Sequence, residues 1–389
     1  MLTPYLLVAS GGNEYYGPDR HLLPRLYLND GKAHFKRLED AFQGLFVTSS
    51  CIRPIDFNGD GFLDLFIGGR AIPWEYGATP RSYLLQNDGN GKFTDVTAQI
   101  AKELSTIGMV TSATWVDIDK DSDPDLVLTC EWGGIEAFIN DKGSFSRKTL
   151  ASEKGWWNFL LPVDIDNDND MDFIAGNLGL NSRLKASATE PVRMYYADFD
   201  DNGRKEQILT YYIGGKEITF VNKDELQKQV PFIKKKFLYA GDFAKASIAD
   251  IFGSAKLKEA QVLSAEYFSN AILINDGKMN FSVQALPWEA QLSSYRDAIV
   301  TDLNNDKLPD ILLVGNYYDN NIQMGRYDAD FGTVLINHGG GKLTAETANG
   351  LAIKGQVRRI LDLNVAGQKT YILAKNNDSV KVIRFTSTQ

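Results

Sequence analysis

The stretch DFNGDGFLDLFIGG, residues 56–69, sets oxygen-bearing side chains at positions 1, 3, 5 and 9 of a nine-residue segment and follows them with a short apolar run ending in Gly-Gly. Four further segments repeat the plan: DIDKDSDPD at 117–125, DIDNDNDMD at 164–172, DFDDNGRKE at 198–206 and DLNNDKLPD at 302–310. A lone acidic run reads as a solvated turn, because Asp, Asn and Gly are ordinary turn formers. Five copies with the same internal spacing, four of them followed at once by a β-rich run, are instead an internal repeat.

Carboxylates packed this densely repel one another. A cage of six to eight oxygens around Ca²⁺ turns that repulsion into coordination, with side chains at alternate positions and a backbone carbonyl at position 7. The ligand sets expected on this basis are Asp56, Asn58, Asp60, Phe62 and Asp64; Asp117, Asp119, Asp121, Asp123 and Asp125; Asp164, Asp166, Asp168, Asp170 and Asp172; Asp198, Asp200, Asn202, Arg204 and Glu206; and Asp302, Asn304, Asp306, Leu308 and Asp310. About three to five structural Ca²⁺ ions are expected. An EF-hand also needs a bidentate Glu at position 12 and flanking helices, whereas position 12 of the first loop is Ile67. Runs such as LFIGG, LVLTC, FIAGN and ILLVG have strand length and strand composition, so each loop joins two strands. The fifth loop replaces the usual Gly at position 6 with Lys307, so either a strained turn or a lower affinity is expected there.

A second signature accompanies the first. LYLNDGKAHF (26–35), LLQNDGNGKF (84–93), FINDKGSF (138–145), ILINDGKMNF (272–281) and LINHGGGKL (335–343) each join two strands through an Asn-Asp-Gly-like turn, the mark of a β-hairpin. One unit is then four antiparallel strands in roughly 45 to 60 residues, which is the dimension of a propeller blade. The expected fold is all-β: a seven-bladed β-propeller, or eight-bladed if the loop at 198 opens a blade of its own. Unit starts near 56, 117, 164, 302 and 357, a broken N-terminal unit and an irregular unit over 206–287 make seven. A short helical insertion near 222–256 is predicted from Leu226, Val230, Ile233 and Phe237 at helical spacing, with Asp224 as a candidate cap and Pro231 bending or restarting it. VRRILDLNVAGQKTYILAKNNDSVKVIRF (357–385) keeps only Asp362 and Asn364 of the ligand pattern, so no metal is expected there.

The D-x-D-x-D-G-x-x-D-L pattern, strongest in the first loop, resembles the FG-GAP (VCBS) repeat family, of which the integrin α-chain propeller is a member. The order of SGGNEYY, PRSYLLQNDG, GWWN, GNLGLNSR and DELQKQVPFIKKKF is similar to the propeller portion of large secreted bacterial proteins that combine FG-GAP repeats with an ASPIC/UnbV module. The resemblance runs over nearly the whole chain and implies a propeller and calcium sites more firmly than a biochemical role. On this reading residues 1–389 are a single propeller domain, a fragment of a larger secreted protein whose other domains are partners. YLLVASGG at 5–12 mirrors DLFIGGR at 64–70, as though the chain began inside a repeat.

No run of 18 apolar residues interrupts a chain of 389, so no membrane span is expected. The net charge of −9 is local, because seventeen carboxylates sit at ligand positions and Lys and Arg are scattered; no basic field for nucleic acid exists. Cys51 and Cys130 are read as core thiols with at most one bridge between them. Calcium affinities of about 10⁻⁴ to 10⁻³ M suit extracellular modules, which points to an extracellular, cell-surface or periplasmic setting in a bacterium.

In a four-stranded blade the acidic loops and the hairpin turns share one face, and long variable loops occupy the other. Those loops carry Tyr15, Tyr16, Arg20, Arg70, Trp74, Tyr76, Arg81, Arg183, Tyr317, Tyr318 and Arg326, residue types that recognition surfaces over-use. Two readings stand: the residues bind an extracellular protein or glycan, or they only pin down long loops. Trp156 and Trp157 precede an acidic loop and are expected to be buried. G-x-S-x-G, H-E-x-x-H and zinc spacings are absent, and His338 reads as a turn residue. A non-enzymatic, calcium-stabilised binding or adhesion module is the expected function; the alternative is a polysaccharide-lyase-like enzyme on a calcium-binding propeller, and a spacer is a third possibility.

Overall fold

Apolar runs of strand length that are buried on both faces require sheets stacked on sheets, and the computed structural model, which describes residues 5–346 and 350–385, contains seven, each antiparallel and of three or four strands. The first pairs Tyr5–Val8, Arg25–Asn29 and Phe35–Leu38. Thr48–Ile55, Asp64–Ala71, Tyr83–Asn87 and Phe93–Asp95 make the second. The third has Met109–Val116 beside two long strands, Asp125–Asp141 and Ser144–Trp156. Tyr295–Thr301, Asp310–Gly315, Thr333–Asn337 and Leu343–Glu346 form the fifth, and Val357–Val365, Gln368–Lys375 and Lys381–Ile383 the sixth.

Sequence order and spatial order part company in the fourth sheet. Phe159–Val163 and Asp172–Gly176 are completed by Ala271–Asn275 and Phe281–Ala285. Between those halves lies a nested sheet of Val192–Ala197, Glu206–Ile213, Lys216–Thr219 and Gln261–Ala265. The irregular unit expected over 206–287 is therefore divided between two sheets, and the loop at 198 joins two strands of the nested one. The sheets number seven among the described residues, matching the expectation of a seven-bladed β-propeller with a short helical insertion.

Apolar clusters fill the gaps between successive sheets. Leu26, Phe42 and Ile67 join the first to the second, Cys51, Phe66 and Leu128 the second to the third, and Val127, Trp157 and Phe173 the third to the fourth. Ile174, Tyr295 and Leu335 continue the series, then Leu312, Val357 and Leu373. Burial of such side chains at about 25 cal/mol per Å² is the main force holding sheet on sheet. Polar bonds add register between neighbouring first strands. Arg53 Nε donates to the Ala113 carbonyl at 2.6 Å, Trp115 Nε1 to the Arg53 carbonyl at 3.1 Å, and the Ile360 N–H to Asp297 at 2.9 Å.

The helical insertion consists of five short helices between Lys223 and Glu259. Asn222 rather than Asp224 caps the first, its side chain accepting the Glu225 N–H, and the chain restarts as a helix straight after Pro231. Leu226, Val230 and Ile233 are buried against Phe199 and Ile208 of the nested sheet, the core role expected of that stripe. In the sixth sheet a two-residue turn, Ala366-Gly367 with both residues at positive φ, stands where an acidic loop would be. Cys51 and Cys130 are buried free thiols, and burial pushes Cys130 up to about 12.

Candidate metal loops and the channel mouth

The five acidic loops share one backbone design. Positions 4 and 6 are left-handed in every copy, with φ between 58° and 89° at Gly59, Gly61, Lys120, Ser122, Asn167, Asn169, Asp201, Gly203, Asn305 and Lys307. Lys307 thus adopts the same turn as its counterparts, and Ser122 and Asn169 show that position 6 does not require Gly. In each loop the carboxylate at position 1 accepts the position-6 N–H at 2.8–3.1 Å. The oxygen at position 5 accepts the position-7 N–H at 2.8–3.0 Å. These bonds curl the segment so that its acids converge.

Position 9 does something the spacing alone does not announce. Asp64, Asp125, Asp172 and Asp310 are fully buried, and each accepts the backbone N–H of the Asn that opens the hairpin turn of its own sheet: Asn87, Asn140, Asn275 and Asn337, at 2.8–2.9 Å. Two of the Asn side chains then reach the neighbouring sheet, whereas Asn87 and Asn275 donate to the Leu63 and Met171 carbonyls beside their own position-9 Asp, at 3.0 and 3.4 Å. Asn140 Nδ2 donates to the Phe57 carbonyl of the second sheet at 3.0 Å, and Asn337 Nδ2 to the Ile165 carbonyl of the fourth at 2.7 Å. The two sequence signatures are one hydrogen-bonded unit. In the nested sheet Glu206 holds only the Phe199 N–H, because no such turn follows it.

Three loops gather three carboxylates each, with one oxygen per residue within 4.8 Å of the others: Asp117, Asp119 and Asp125; Asp164, Asp166 and Asp172; Asp198, Asp200 and Glu206. Asp166 Oδ1, Asp170 Oδ1, Asp200 Oδ1 and Asp64 Oδ2 are closed off from solvent with no protein donor. An orphaned buried carboxylate oxygen is costly, and a hard divalent cation is what satisfies several at once. Burial pushes Asp64, Asp125 and Asp172 up to about 6, against the pull of their backbone N–H bonds. Burial followed by neighbouring carboxylates raises Asp119 and Asp166. The first and fifth loops do not gather such a trio among the described residues. There Asn58 and Asn304 donate to Asp60 and Asp306 at 3.0 and 2.8 Å, each spending an amide on a carboxylate.

The residues predicted on the opposite face divide into separate groups. Tyr16 and Trp74 stack at 5.2 Å on the surface, and Tyr15 stacks on His21 at 4.0 Å, one residue from the exposed Arg20. Arg81 lies nearby, paired with Asp95 at 2.6 Å and set over Tyr83. Arg70, Tyr76 and Tyr317 are drawn instead into a cavity of about 490 Å³. Its walls come from the second to fifth sheets and, over the top, from Met194 and Leu209 of the nested sheet, which packs its apolar side on Trp132, Trp156 and Tyr327. Arg183 sits outside this cavity, over Tyr211 and Phe220 of the nested layer. Tyr318 and Arg326 pair with each other at 5.1 Å. Trp157 is buried as expected, whereas Trp156 lines the cavity.

Three cavity residues escape a sequence reading, Glu131, Asn158 and Arg296, as does Arg358 behind Tyr317. Glu131 accepts Tyr76 Oη at 2.7 Å and pairs with Arg70 at 2.6 Å. Arg296 donates to Asn158 at 2.6 Å, and Tyr317 lies between Arg296 and Arg358 at 4.8 and 5.5 Å. The one available signal was an arginine in SSYRDAIV, inside a first strand that is otherwise fit for a core.

Antiparallel sheets packed in succession and turns that gather acids define a propeller-type protein with candidate metal loops. Comparison with known proteins narrows this: residues 56–128 and 117–175 match the FG-GAP-like repeat, so the chain contains an FG-GAP-like repeat region. No curated protein matches. Among solved structures the chain is similar to the V. cholerae biofilm matrix protein Bap1, at 11% identity and a TM-score of 0.31, over 93% of this chain and 73% of that one. No helix among the described residues is long and apolar enough to cross a membrane.

Proposed function

We propose that the chain is a calcium-stabilised, non-enzymatic extracellular binding or adhesion module that recognises a protein or glycan through the face opposite the acidic loops. All-oxygen donor sets on flexible loops favour Ca²⁺ over softer metals, and three to five ions fit the loop count. The setting is the surface, periplasm or exterior of a bacterium, where millimolar calcium keeps such loops filled. The chain acts as one propeller domain of a larger protein, and exposed Leu361, Leu363 and Val382 on the sixth sheet suit contact with the parent's other domains.

One observation carries the recognition reading. Trp74 is 63% exposed yet held in a left-handed conformation, φ 67°, by bonds from its backbone N–H and its Nε1 to Asn13, both at 2.7 Å. A non-glycine residue fixed in that region stores backbone strain, which concentrates where function needs a preset side chain. The pinned indole and the Tyr16 ring offer a flat platform for a sugar face or an apolar side chain. Glycan arrays and pull-downs with the calcium-loaded protein are expected to show capture that Trp74→Ala weakens at least tenfold without lowering Tm. Undiminished capture by that variant would remove the platform from the proposal. Turnover of acidic polysaccharides to unsaturated products would replace the module by the lyase-like alternative.

A further inference from the structure

The cavity beneath the nested sheet holds more donors than acceptors. Arg70 Nη1, Arg296 Nε and Trp156 Nε1 are all closed off from solvent without a protein acceptor, although each belongs to a residue lining the same cavity. The charges are unbalanced in the same sense: Arg70 and Arg296 line it against the single carboxylate of Glu131, whose Oε2 already serves Tyr76 and Arg70. Buried donors left without acceptors cost free energy, the more so when charged, and an anion with two oxygens is the group that meets guanidinium and indole N–H geometry together.

The walls describe the rest of the occupant. Tyr76, Trp132, Trp156, Tyr317 and Tyr327 surround the donors with ring faces and edges, and the space of about 490 Å³ admits one or two sugar rings but no folded partner. Trp132 Nε1 is spent on Tyr76 Oη at 2.9 Å, which leaves Trp156 as the indole donor that is free. Simple inorganic anions would leave the aromatic walls uncovered.

We propose that this cavity is a binding site for a carboxylate-bearing sugar, a uronic acid unit whose carboxylate takes Arg70, Arg296 and Trp156 while its ring lies against the aromatic walls. The site deepens the recognition reading above and rests on it, adding a specificity pocket beneath the nested sheet to the exposed Trp74 platform. Two sources share this chemistry, a free acidic monosaccharide and the end of an acidic polysaccharide. The nested sheet roofs the pocket, so one terminal unit enters and an internal unit of a long chain does not.

Titration of the calcium-loaded protein with glucuronate and galacturonate, followed by tryptophan fluorescence and calorimetry, tests it against glucose and acetate. A uronate is expected to bind at least tenfold more tightly than either control. Trp156→Phe, which keeps the ring and removes only the N–H, is expected to weaken uronate binding about tenfold, and Arg296→Gln by more. His338→Ala, in an exposed hairpin turn, is expected to leave uronate affinity unchanged, and the Trp74→Ala capture assay is read separately, so failure of the surface platform and failure of the pocket are told apart. Short oligouronates that bind as well as the monosaccharide identify a chain end as the source; their exclusion identifies the free sugar. Glucose binding as tightly as glucuronate, or no uronate binding by a Trp156→Phe-sensitive site at millimolar concentration, overturns the proposal.

Discussion

Asn337→Ala tests whether the hairpin asparagines hold one sheet to the next. Asn337 is fully buried; its Nδ2 donates to the Ile165 carbonyl at 2.7 Å, and its Oδ1 accepts the Gly339 N–H at 2.9 Å. Truncation leaves that carbonyl and that N–H without partners, at about 1–3 kcal/mol each, so about 2–6 kcal/mol in all. With an unfolding entropy of roughly 2.1 cal/mol/K per residue, 389 residues unfolding together give about 0.8 kcal/mol/K. The expected fall in Tm is therefore about 2–7 °C by calorimetry. The neighbouring His338 is exposed and its side chain is bonded only to Thr344, so His338→Ala is the internal control, with a change below about 1 °C. Because the lost bonds are not to a metal, the fall is expected in calcium and in chelator alike. A Tm for Asn337→Ala within about 1 °C of the parent, or a loss seen only in calcium, would refute the stitching role.

Asp166→Ala should behave in the opposite way: it removes a ligand oxygen and, of the backbone, only weak contacts within its own loop, so it costs about 1–2 kcal/mol in 5 mM calcium and little, or a slight gain from relieved repulsion, in chelator. Thermal melts with and without EDTA check this, and equal loss in both would show a structural rather than a metal-linked role. The pH dependence follows from Asp64, Asp125 and Asp172. Their folded values near 6 lie above the unfolded carboxylate range near 4, so in the metal-free protein the associated stability is present below about pH 4 and lost as pH rises through about 6. Bound calcium compensates the charge, and the Tm difference between calcium and EDTA is expected to widen from pH 5 to pH 7. A difference that is flat or narrowing over that window would sink the assignment of these acids to a metal.

The fold was legible because two short-range signals recur in fixed order. The acidic loop declares a strand-to-strand turn, and the Asn-Asp-Gly turn declares the next one, so strand boundaries near 64, 125, 172 and 310 follow directly. What the sequence hid is non-local. Nothing in LINDGK announces that Asn275 belongs with Asp172, since the intervening residues form a complete sheet with an acidic loop of its own. The counterpart at Asn87, only 23 residues from Asp64, looks identical in sequence. The same blindness affected the site. Arg70, Tyr76 and Tyr317 were visible as unusual loop residues, but their meeting with Glu131 and Arg296 depends on the nested sheet folding over them. Surface residues such as Trp74 and Tyr16 need no such closure: both are exposed on loops whose position the sequence already shows.

The bond between Asp172 and Asn275 spans 103 residues. During synthesis at about 5–20 residues per second, the first half of the fourth sheet waits about 5 to 20 s for its second half to leave the ribosome. Throughout that interval Phe173 and Ile174 present an open apolar strand edge, the kind that pairs with strangers. The nested segment, complete in itself once Gln261–Ala265 arrives, can collapse first and draw the two halves toward each other. An element that roofs the mature pocket would then also serve as a clamp during assembly.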